Sequence, residues 1–463
     1  MPTIVAFDIG TTHLKWIVTD RETQRTLNRG QKDISPVNRG HSSEQDPHAI
    51  IGIIDEIKNA TRQQFGAISC TTLSSAMHSL IAVDAKGHAL TGSLTWMDSR
   101  ARNVADHLRE SGEASYWRQM TGVPVHSMSP FVKWLWLKDQ LPGDARPVSL
   151  KDYVLFHLTG QWLQDFSTAS ASGFLGVNNQ WLPAAVERAQ LPIEKLPRLT
   201  QQSHRVEDLD GGAVIVGGSD AAMAHRHLRI MPDGRVAVLA MGTSGALRVS
   251  WEHPVDEPTM FCYSMGPDEG FLVGSAFSNV GNMLEWLAGL FSVPLQRLVK
   301  DGITAIRSGH ALPLAITTGF GERSPWWRED LKGSFVDVDP GHTPGDWMGA
   351  ALMSLAASYA QGLTTLRQMG ARSLQLRAGS GLMRIPEMGQ WMADALGQTI
   401  DIQDHEDASL LGALDLAQSG SDSGRLDPVQ RFTLQDRRLK ARVDETGAAM
   451  RKWVDLWVQE KSR

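Results

Sequence analysis

The sequence predicts an α/β protein that is divided into two domains with a cleft between them. Its 463 residues are more than one hydrophobic core usually holds. An apolar hairpin pattern at the start of the chain is repeated half a chain later. Elsewhere, β-rich runs alternate with helical patterns, which indicates sheets covered by helices. We therefore expect an N-terminal domain over residues 1–235 and a C-terminal domain over residues 236–463.

The composition is that of a globular protein, with 42% hydrophobic and 21% charged residues. The net charge of −6 and the interspersed charges argue against nucleic acid as a partner. No apolar stretch reaches the ~18 residues of a membrane span, and Asp8 interrupts the short apolar run at the N-terminus, which is therefore not a signal peptide. Cys70 and Cys262 lie far apart, which argues against a disulfide framework. We expect a cytoplasmic protein without a membrane partner, and a homodimer is left open.

The repeated pattern covers Ile4–Asp20 and Val236–Ser250. Each copy has an apolar β-rich run, a turn that contains glycine, threonine and a second hydroxyl residue, and another β-rich run. This is the pattern of a β-hairpin with a tight polar turn. Chance similarity of two hairpins is the alternative to an internal duplication. The duplication predicts that each domain opens with the same hairpin.

The other elements follow from apolar spacing and from end signals. Strands are predicted to begin at Ala67–Cys70 and to cover Ala213–Gly218. Helices are predicted over Ala49–Arg62, Trp347–Met369, Pro386–Leu396, Asp407–Ala417 and Leu439–Val458. Asp407 is the predicted N-cap of its helix. Trp453 and Trp457 share one face of the last helix, which is typical of packing onto a core.

The two hairpin turns are candidate phosphate-binding sites. Backbone N–H groups in glycine-containing turns can point at an anion, and glycine allows the close approach of the ligand. The turn residues are Gly10, Thr11 and Thr12 in the first copy and Gly242, Thr243 and Ser244 in the second. One such turn is usually only a turn, but a matched pair could hold a polyphosphate from both sides of a cleft.

Asp8 and Asp220 are candidates for the chemistry of phosphoryl transfer. Asp8 ends the first strand directly before its turn, and Asp220 follows a strand that runs into two glycines. An acidic residue beyond the carboxyl end of a strand can project into the crevice where α/β proteins bind ligands. In phosphoryl transfer, one carboxylate holds Mg²⁺ near the phosphates and another accepts the proton of the attacking hydroxyl. For Asp220, an N-cap of the following helix explains this segment equally well.

Two further segments carry polar candidates. Met77 and His78 follow a Ser-Ser turn, and His78 could contact substrate hydroxyls, although a structural histidine explains the spacing better. Gly379 and Ser380 lie between a strand and a helix, where a nucleotide ring could lie against the backbone, and a plain turn explains them nearly as well. The motifs of P-loop enzymes, dinucleotide-binding folds and zinc proteases are absent.

Many of these segments resemble the FGGY family of carbohydrate kinases, and the resemblance runs over almost the whole chain. It is carried by Asp8–Thr12, Ser74–Ser79, Thr95–Ala101, Thr121–Pro130, Lys151–Tyr153, Asp165–Ser170, Gly217–Asp220, Gly242–Arg248, Gly321–Trp326 and Leu411–Ala413. Within the family, Ser75–Leu80, Thr121–Pro130, Gly242–Arg248 and Phe261–Tyr263 are most similar to gluconate kinases.

The resemblance implies two ribonuclease-H-like domains of the actin-like ATPase fold, which close on ATP, Mg²⁺ and a small sugar or sugar acid. It implies Asp220 as the catalytic base and Asp8 as the organiser of Mg²⁺ and phosphate, with Asp220 also near the metal and the substrate. Met77 and His78 would contact the substrate, and both hairpin turns and the loop at Gly379 would hold ATP. The expected reaction transfers the γ-phosphoryl group to a primary hydroxyl, with gluconate as the expected acceptor.

Other functions stay open. Xylulose, or another ketose or polyol, is the alternative acceptor. The segments around Asn279 and Gly379 differ from the usual family sequence, which leaves a catalytically inactive, sugar-binding regulator as a second alternative. An ATPase of the actin or chaperone type would share the hairpins, but it leaves the segment at His78 unexplained. A gluconate carboxylate needs a partner, either a nest of backbone N–H groups or a basic side chain, for which Arg100 and Lys151 are candidates.

Overall fold

The computed structural model describes residues 2–228, 233–371, 373–379, 381–402, 407–418 and 430–461. Its strands are β1 (Thr3–Ile9), β2 (His13–Asp20), β3 (Thr26–Asp33), β4 (Val37–Arg39), β5 (Ser42–Gln45), β6 (Ile68–Ser75), β7 (Ile81–Val83), β8 (Ser93–Leu94), β9 (Arg146–Val148), β10 (Leu163–Asp165), β11 (Arg198–Thr200), β12 (Arg205–Glu207), β13 (Ala213–Ser219), β14 (Asp233–Met241), β15 (Gly245–Trp251), β16 (Phe261–Gly266), β17 (Gly270–Phe277), β18 (Leu314–Ile316), β19 (Ser334–Val336), β20 (Gln375–Ala378), β21 (Ile400–Ile402) and β22 (Gln430–Phe432).

The α-helices are α1 (Pro47–Phe65), α2 (Arg102–Glu110), α3 (Glu113–Thr121), α4 (Pro130–Leu137), α5 (Leu150–Thr159), α6 (Phe166–Ser172), α7 (Pro183–Arg188), α8 (Asp220–His227), α9 (Gly281–Phe291), α10 (Leu295–Ser308), α11 (Pro344–Gln368), α12 (Pro386–Leu396), α13 (Ala408–Ala417) and α14 (Arg437–Lys461). Short 3₁₀ helices cover Lys138–Gln140, Ile193–Lys195 and Gly381–Arg384.

The N-terminal half contains a mixed sheet with the strand order β12-β13-β6-β1-β2-β3. β1, β2 and β3 are antiparallel neighbours, whereas β1, β6 and β13 run parallel. β1 is buried along its whole length because apolar clusters cover both faces of the sheet. This double burial explains why its sequence is a nearly continuous apolar run.

The C-terminal half repeats this scheme in a sheet with the order β16-β17-β15-β14-β20-β21-β22. β17, β15 and β14 are antiparallel neighbours, and β14, β20 and β21 run parallel. The order β3-β2-β1-β6-β13 therefore matches β17-β15-β14-β20-β21 strand for strand. The predicted duplication is confirmed, and a glycine-threonine turn joins the first two strands of each copy.

The predicted helices are confirmed as α1, α11, α12, α13 and α14, with ends that differ by up to a few residues. The start of α11 is fixed by Pro344 and by a capping box between Thr343 and Asp346. α12 ends at Gly397, which has a positive φ of 68° that glycine adopts without strain. No helix in the described part of the chain is long and apolar enough to cross a membrane.

Helix α14 packs through one face onto a small apolar cluster of the C-terminal half. Trp453 and Trp457 lie against this cluster, which contains Ile316, Leu331 and Met450. The interpretation of the tryptophan stripe as a packing face is therefore confirmed.

Helix α13 belongs to the C-terminal half of the chain but packs against the N-terminal sheet. Leu410 and Ala413 share an apolar cluster with Ile4 and Ile215 on that sheet. The hydroxyl of Thr72 also donates a hydrogen bond of 3.1 Å to the carbonyl of Ala413. α13 therefore crosses from one half of the molecule to the other.

The predicted capping role of Asp407 is wrong. Asp407 occupies the N-cap position of α13, but its side chain makes no capping hydrogen bond. Its carboxylate instead forms ion pairs with Lys15 on β2, at 2.8 Å, and with Arg29 on β3. Two cations compete successfully with the helix N–H groups for this carboxylate. The ion pairs tie the start of α13 to the N-terminal hairpin.

The division of the chain into residues 1–235 and 236–463 stays a proposal. The predicted boundary falls inside β14, which begins at Asp233. The strands of the first large sheet come from residues 3–219, and the strands of the second come from residues 233–432. The crossing helix α13 means that contacts do not follow this division completely.

Candidate active site

A cavity of about 130 Å³ lies where the two halves meet. Thr11 from the first hairpin turn and Ser244 from the second both line it. Asp220, at the start of α8, lines the same cavity. The duplicated turns therefore face a common space, and the candidate base lies within it.

The first turn is held by hydrogen bonds that leave its outer edge exposed. The N–H of Gly10 donates to the carbonyl of His13 at 3.0 Å, which closes the turn. The side-chain amide of Gln45 donates to the carbonyls of Gly10 and Thr11 at 3.1 and 2.9 Å. The indole of Trp96 donates to the Thr11 hydroxyl at 3.1 Å. Thr12 is exposed beside it, so the turn is rigid but open to a ligand.

The second turn is built in the same way. The N–H of Gly242 donates to the carbonyl of Ser244 at 3.0 Å. The start of α9 packs on its back, where Gly281 and Asn282 donate to the carbonyls of Gly242 and Thr243, each at 3.0 Å. Gly242 and Thr243 are exposed on the outer side.

The glycine loop after β20 lies next to the second turn. The N–H of Gly379 donates to the carbonyl of Leu239 at 3.3 Å, and open space surrounds the position that a Cβ of Gly379 would take. Gly381 passes so close to β14 that its Cβ would lie 2.1 Å from the Met241 carbonyl oxygen. Ser380 lies outside the described residues. The loop therefore places backbone that no side chain covers at Gly379 beside the turn at Gly242.

Asp220 lines the cavity and does not take the N-cap position of α8, although its Oδ1 accepts a hydrogen bond from the N–H of Ala221 at 2.8 Å. The hydroxyl of Ser219 caps α8 by accepting a hydrogen bond from the N–H of Ala222 at 3.3 Å. Burial raises the pKa of Asp220 to about 6, an effect that the charge of Arg248 opposes and that of Asp8 reinforces. A carboxylate with this pKa is ionised at neutral pH, yet it binds a proton more readily than an exposed aspartate. This combination suits a group that accepts a proton from a hydroxyl.

Asp8 lies behind the first turn and is close enough to influence Asp220 electrostatically. Its Oδ2 accepts a hydrogen bond of 2.7 Å from Ser409 at the start of α13. Its Oδ1 is buried, and no described residue donates a hydrogen bond to it. Burial raises the pKa of Asp8, an effect that the hydrogen bond from Ser409 opposes. A buried carboxylate oxygen without a donor is suited to a cation or to its bound water.

Met77 and His78 also line the cavity. Burial lowers the pKa of His78 to about 3, so the imidazole is neutral. Its Nδ1 lies 2.9 Å from the carbonyl of Ala171 and must donate to it. Its Nε2 is then an acceptor and lies 3.4 Å from the hydroxyl of Tyr263. The single lone pair of Nε2 is therefore directed at the Tyr263 hydroxyl, and a substrate hydroxyl would donate to His78 by replacing this long contact.

Two arginines in the cavity were not singled out from the sequence as site residues. Arg248, on β15, and Arg323, in the loop between β18 and β19, both line it. Arg323 donates to the carbonyl of Phe277 at 2.6 Å and lies over the ring of Trp96, 5.1 Å from its centroid. Only the joining of distant segments brings these two cations into the cavity that Asp220 lines.

The two predicted carboxylate partners lie elsewhere. Lys151 is fully buried and pairs with Asp165 at 2.9 Å. Arg100 pairs with Asp98 and Glu44, at 2.7 and 2.5 Å, and does not line the cavity. Both cations are used in structural ion pairs, so the prediction that they contact a substrate carboxylate is wrong. Among the residues that line the cavity, the cations that could bind a substrate carboxylate are Arg248 and Arg323.

Comparison with known proteins identifies the family. Residues 3–221 match the N-terminal domain, and residues 237–420 the C-terminal domain, of the FGGY family of carbohydrate kinases. The chain belongs to this family. It is therefore a carbohydrate kinase, a phosphotransferase that acts on an alcohol group.

Curated relatives agree with this assignment, and solved structures share the fold. The gluconokinase of Bacillus subtilis (strain 168) is 26% identical over 404 residues, which are 80% of this chain and 78% of that protein. A ligand-bound xylulose kinase from Lactobacillus acidophilus superposes with a TM-score of 0.90 at 22% identity, over 99% of each chain. A gluconate kinase from the same organism gives 0.86 at 22% identity, over 100% of this chain and 98% of the other. The predicted pair of actin-like ATPase domains is confirmed.

Proposed function

We propose that this carbohydrate kinase transfers the γ-phosphoryl group of ATP to a primary hydroxyl of a sugar acid, with gluconate as the expected substrate. The observation that carries the proposal is the shared cavity, which a turn from each half lines together with Asp220 and two arginines. Among the side chains that line this cavity, Asp220 is ionised and His78 is neutral, so the two guanidinium groups leave a surplus of positive charge. An anionic acceptor balances this surplus better than a neutral ketose does.

Asp220 would accept or orient the proton of the attacking hydroxyl. The N–H groups of the turns at Thr11, Thr12, Thr243 and Ser244 would hold the phosphates, and the loop at Gly379 would lie against the adenine. Met77 and His78 would contact the acceptor. Phosphoryl transfer asks for little covalent chemistry from the protein, so positioning and charge supply most of the catalysis. Closure of the cleft would exclude water and limit wasteful hydrolysis of ATP.

The residues present fit a Mg²⁺ ion that is held mainly by phosphate and water. Asp8 offers a buried oxygen without a donor, and Asp220 lies close enough for their charges to interact. The described residues contain no cluster of three or more His, Cys, Asp or Glu side chains that could hold a metal. Mg²⁺ usually takes one or two carboxylates and completes its shell with water and phosphate oxygens. When bound, it would neutralise charge on the phosphates.

A neutral ketose such as xylulose is the second candidate acceptor. The similarity to the xylulose kinase structure shows a shared fold, which both acceptor classes use. The charge of the cavity is the observation that separates them. A sugar-binding regulator without activity and an ATPase without an acceptor are less well supported, because the chain keeps both turns and the acid between them.

An assay of ADP release with a panel of acceptors tests the proposal. Gluconate, xylulose and glycerol are each supplied with ATP and Mg²⁺, and ADP is measured by a coupled reaction. We expect the highest kcat/KM with gluconate. Release that depends on xylulose alone would move the assignment to ketoses, and release that no acceptor stimulates would reject the proposed reaction.

A further inference from the structure

We infer that Arg248 binds the carboxylate of the acceptor and so selects a sugar acid over a neutral sugar. This inference rests on the proposed function and adds to it the residue that determines specificity. Arg248 has this role because of its place on β15, its lack of partners and its position beside the candidate base.

Arg248 lies on the face of the C-terminal sheet that looks across to the N-terminal half. Its neighbours on that face of β15, Ala246 and Ser250, are small and buried. In the register of the sheet it is opposite Gly274 on β17. A Cβ at Gly274 would lie 2.0 Å from the carbonyl oxygen of Leu247, so the position needs glycine and leaves room beside Arg248. A single long cation therefore projects from a row of small residues into the cavity.

The two cavity arginines differ in how they are held. Arg323 donates through Nε to Ser278 at 3.2 Å and through Nη2 to the carbonyl of Phe277, and it lies over Trp96. In the described part of the chain, no hydrogen bond or ion pair involves the guanidinium of Arg248. Arg323 is fixed as part of the wall, whereas Arg248 keeps its donors for a ligand.

A partly buried guanidinium without an acceptor is costly, and a bound carboxylate removes that cost. Burial leaves the charge of Arg248 poorly solvated and lowers its pKa. Asp220 lowers that cost only at a distance, since no ion pair joins the two groups. An arginine fork matches the two oxygens of a carboxylate, and such paired hydrogen bonds are among the strongest in proteins. The arrangement leaves Asp220 available as a base.

The γ-phosphate of ATP is the other anion that could reach this cavity, because Ser244 and Gly245 also line it. The two sources predict different kinetics. A partner of the acceptor carboxylate affects the KM of the acid and leaves the KM of ATP nearly unchanged. A partner of the phosphate affects every acceptor equally.

The test compares gluconate with gluconamide, which has the same carbon chain and hydroxyl groups but no charge. In Arg248→Met, we expect kcat/KM for gluconate to fall about 100-fold and kcat/KM for gluconamide to change less than about three-fold. Removal of Arg248 also alters the charge around Asp220. That effect acts on both acceptors, so the ratio of the two kcat/KM values isolates the carboxylate contact.

Two further variants separate the charge of Arg248 from its geometry and control for the loss of an arginine elsewhere. Arg248→Lys keeps the charge but loses the fork, and we expect an intermediate ratio; it also serves if Arg248→Met does not fold. Arg297→Gln, which changes an exposed arginine on α10, should leave the ratio unchanged. Calorimetric titration of each protein with gluconate alone gives a readout that does not depend on turnover.

The outcomes separate this inference from the proposed function. If the native chain phosphorylates gluconate and Arg248→Met keeps the same gluconate-to-gluconamide ratio, the inference is overturned and the proposed function stands. An equal loss for both acceptors with a raised KM for ATP assigns Arg248 to the phosphate and also overturns it. If the native chain binds and phosphorylates only neutral sugars, both the sugar-acid substrate and the role of Arg248 fail, while the kinase reaction remains.

Discussion

At the scale of single residues, the position of Asp220 depends on the two glycines that precede it. Gly217 has a φ of 70°, and a Cβ there would lie 1.7 Å from the carbonyl oxygen of Leu73 on the neighbouring strand. Only glycine permits this close approach. The end of β13 can therefore turn between its neighbours and deliver Asp220 into the cavity.

The substitution Asp220→Asn tests the proposed base. Asparagine keeps the shape of the side chain but cannot accept the hydroxyl proton as a carboxylate does. We expect kcat to fall about 100- to 10,000-fold, while the gluconate affinity measured by calorimetry stays within a few-fold of the native value. Turnover close to that of the native chain would reject the role.

The substitution Lys133→Met tests a buried lysine that supports the cavity wall. Lys133 is fully buried and donates to the carbonyls of His78 and Thr95 at 2.9 and 2.6 Å. Burial lowers its pKa from 10.5 to about 7. Between these two values the unfolded chain keeps the proton and the folded chain does not, so the contribution of Lys133 to the free energy of unfolding rises with pH.

The measurement is urea unfolding of both proteins at several pH values. The free energy of unfolding of the native chain minus that of Lys133→Met should rise from pH 7 towards pH 10, by at most about 1.4 kcal/mol per pH unit. Lys86→Met, which changes an exposed lysine, gives the comparison. A difference that stays flat with pH for Lys133→Met would contradict the expectation.

At this scale, the sequence predicts the site residues that belong to a local pattern, such as a strand end or a glycine turn. Asp8, Asp220 and the turn residues were predicted because each lies at a strand end or in a glycine turn. Arg248 ends a segment that resembles gluconate kinases, but it was not predicted as a site residue, because one arginine on a strand looks like any exposed residue. Its importance arises only when the opposite half of the molecule covers it.

At the scale of elements, the two hairpin turns are alike in sequence and in their supports. Each turn closes with a hydrogen bond from its glycine N–H, and each is held from behind by other segments, Gln45 in one case and α9 in the other. The exposed edges of both turns remain available. Rigid, open turns are what binding of phosphate by backbone groups requires.

The substitution Thr243→Val tests the second turn. Valine keeps the shape of threonine and removes the exposed hydroxyl. If that hydroxyl contacts phosphate, KM for ATP should rise about ten-fold, whereas KM for gluconate should change little. Thr304→Val on α10, which also removes a threonine hydroxyl at an exposed position, is the matched control. A larger effect on gluconate than on ATP would contradict the assignment.

Helix and strand positions were predicted well, but the use of their end residues was not. The pattern around Asp407 is that of an N-cap, and the helix begins where expected. Local sequence does not contain Lys15 and Arg29, which belong to the first hairpin and take the carboxylate. Capping depends on competition with distant groups, so it cannot be read from one segment.

At the scale of the whole molecule, the contact between α3 and β16 joins the two halves next to the cavity. The N–H of Cys262 on β16 donates to the carbonyl of Gly122 at 2.8 Å. Gly122 ends α3 with a φ of 72°, and a Cβ there would lie 2.0 Å from the carbonyl oxygen of Cys262. The same strand carries Tyr263 into the cavity.

The substitution Gly122→Ala tests this contact against a matched control, Gly112→Ala. Gly112 precedes the same helix with a φ of 80°, but no atom lies within 4 Å of the position that a Cβ there would take. Both variants should lose about 1–2 kcal/mol from the left-handed backbone. Gly122→Ala should lose more, with a lower unfolding temperature and lower kcat/KM. Equal losses in the two variants would show that the contact is unimportant.

The duplication of the sheet was visible in the sequence because both copies keep their hairpins. The placement of α13 was not visible, because an amphipathic helix does not show which sheet it will cover. Serine and aspartate side chains at its start, Ser409 and Asp407, reach Asp8 and the first hairpin. Long-range packing of this kind decides the final architecture.

The path of α13 has a consequence for any attempt to separate the two halves. A fragment that stops near residue 235 would leave Ile4, Ile215 and their apolar neighbours bare to water and would strip Asp8 of its serine donor. Such a fragment should aggregate or remain incompletely folded, even though it contains every strand of its sheet. During synthesis, the N-terminal half can complete its packing only after the ribosome has made α13, close to the end of the chain.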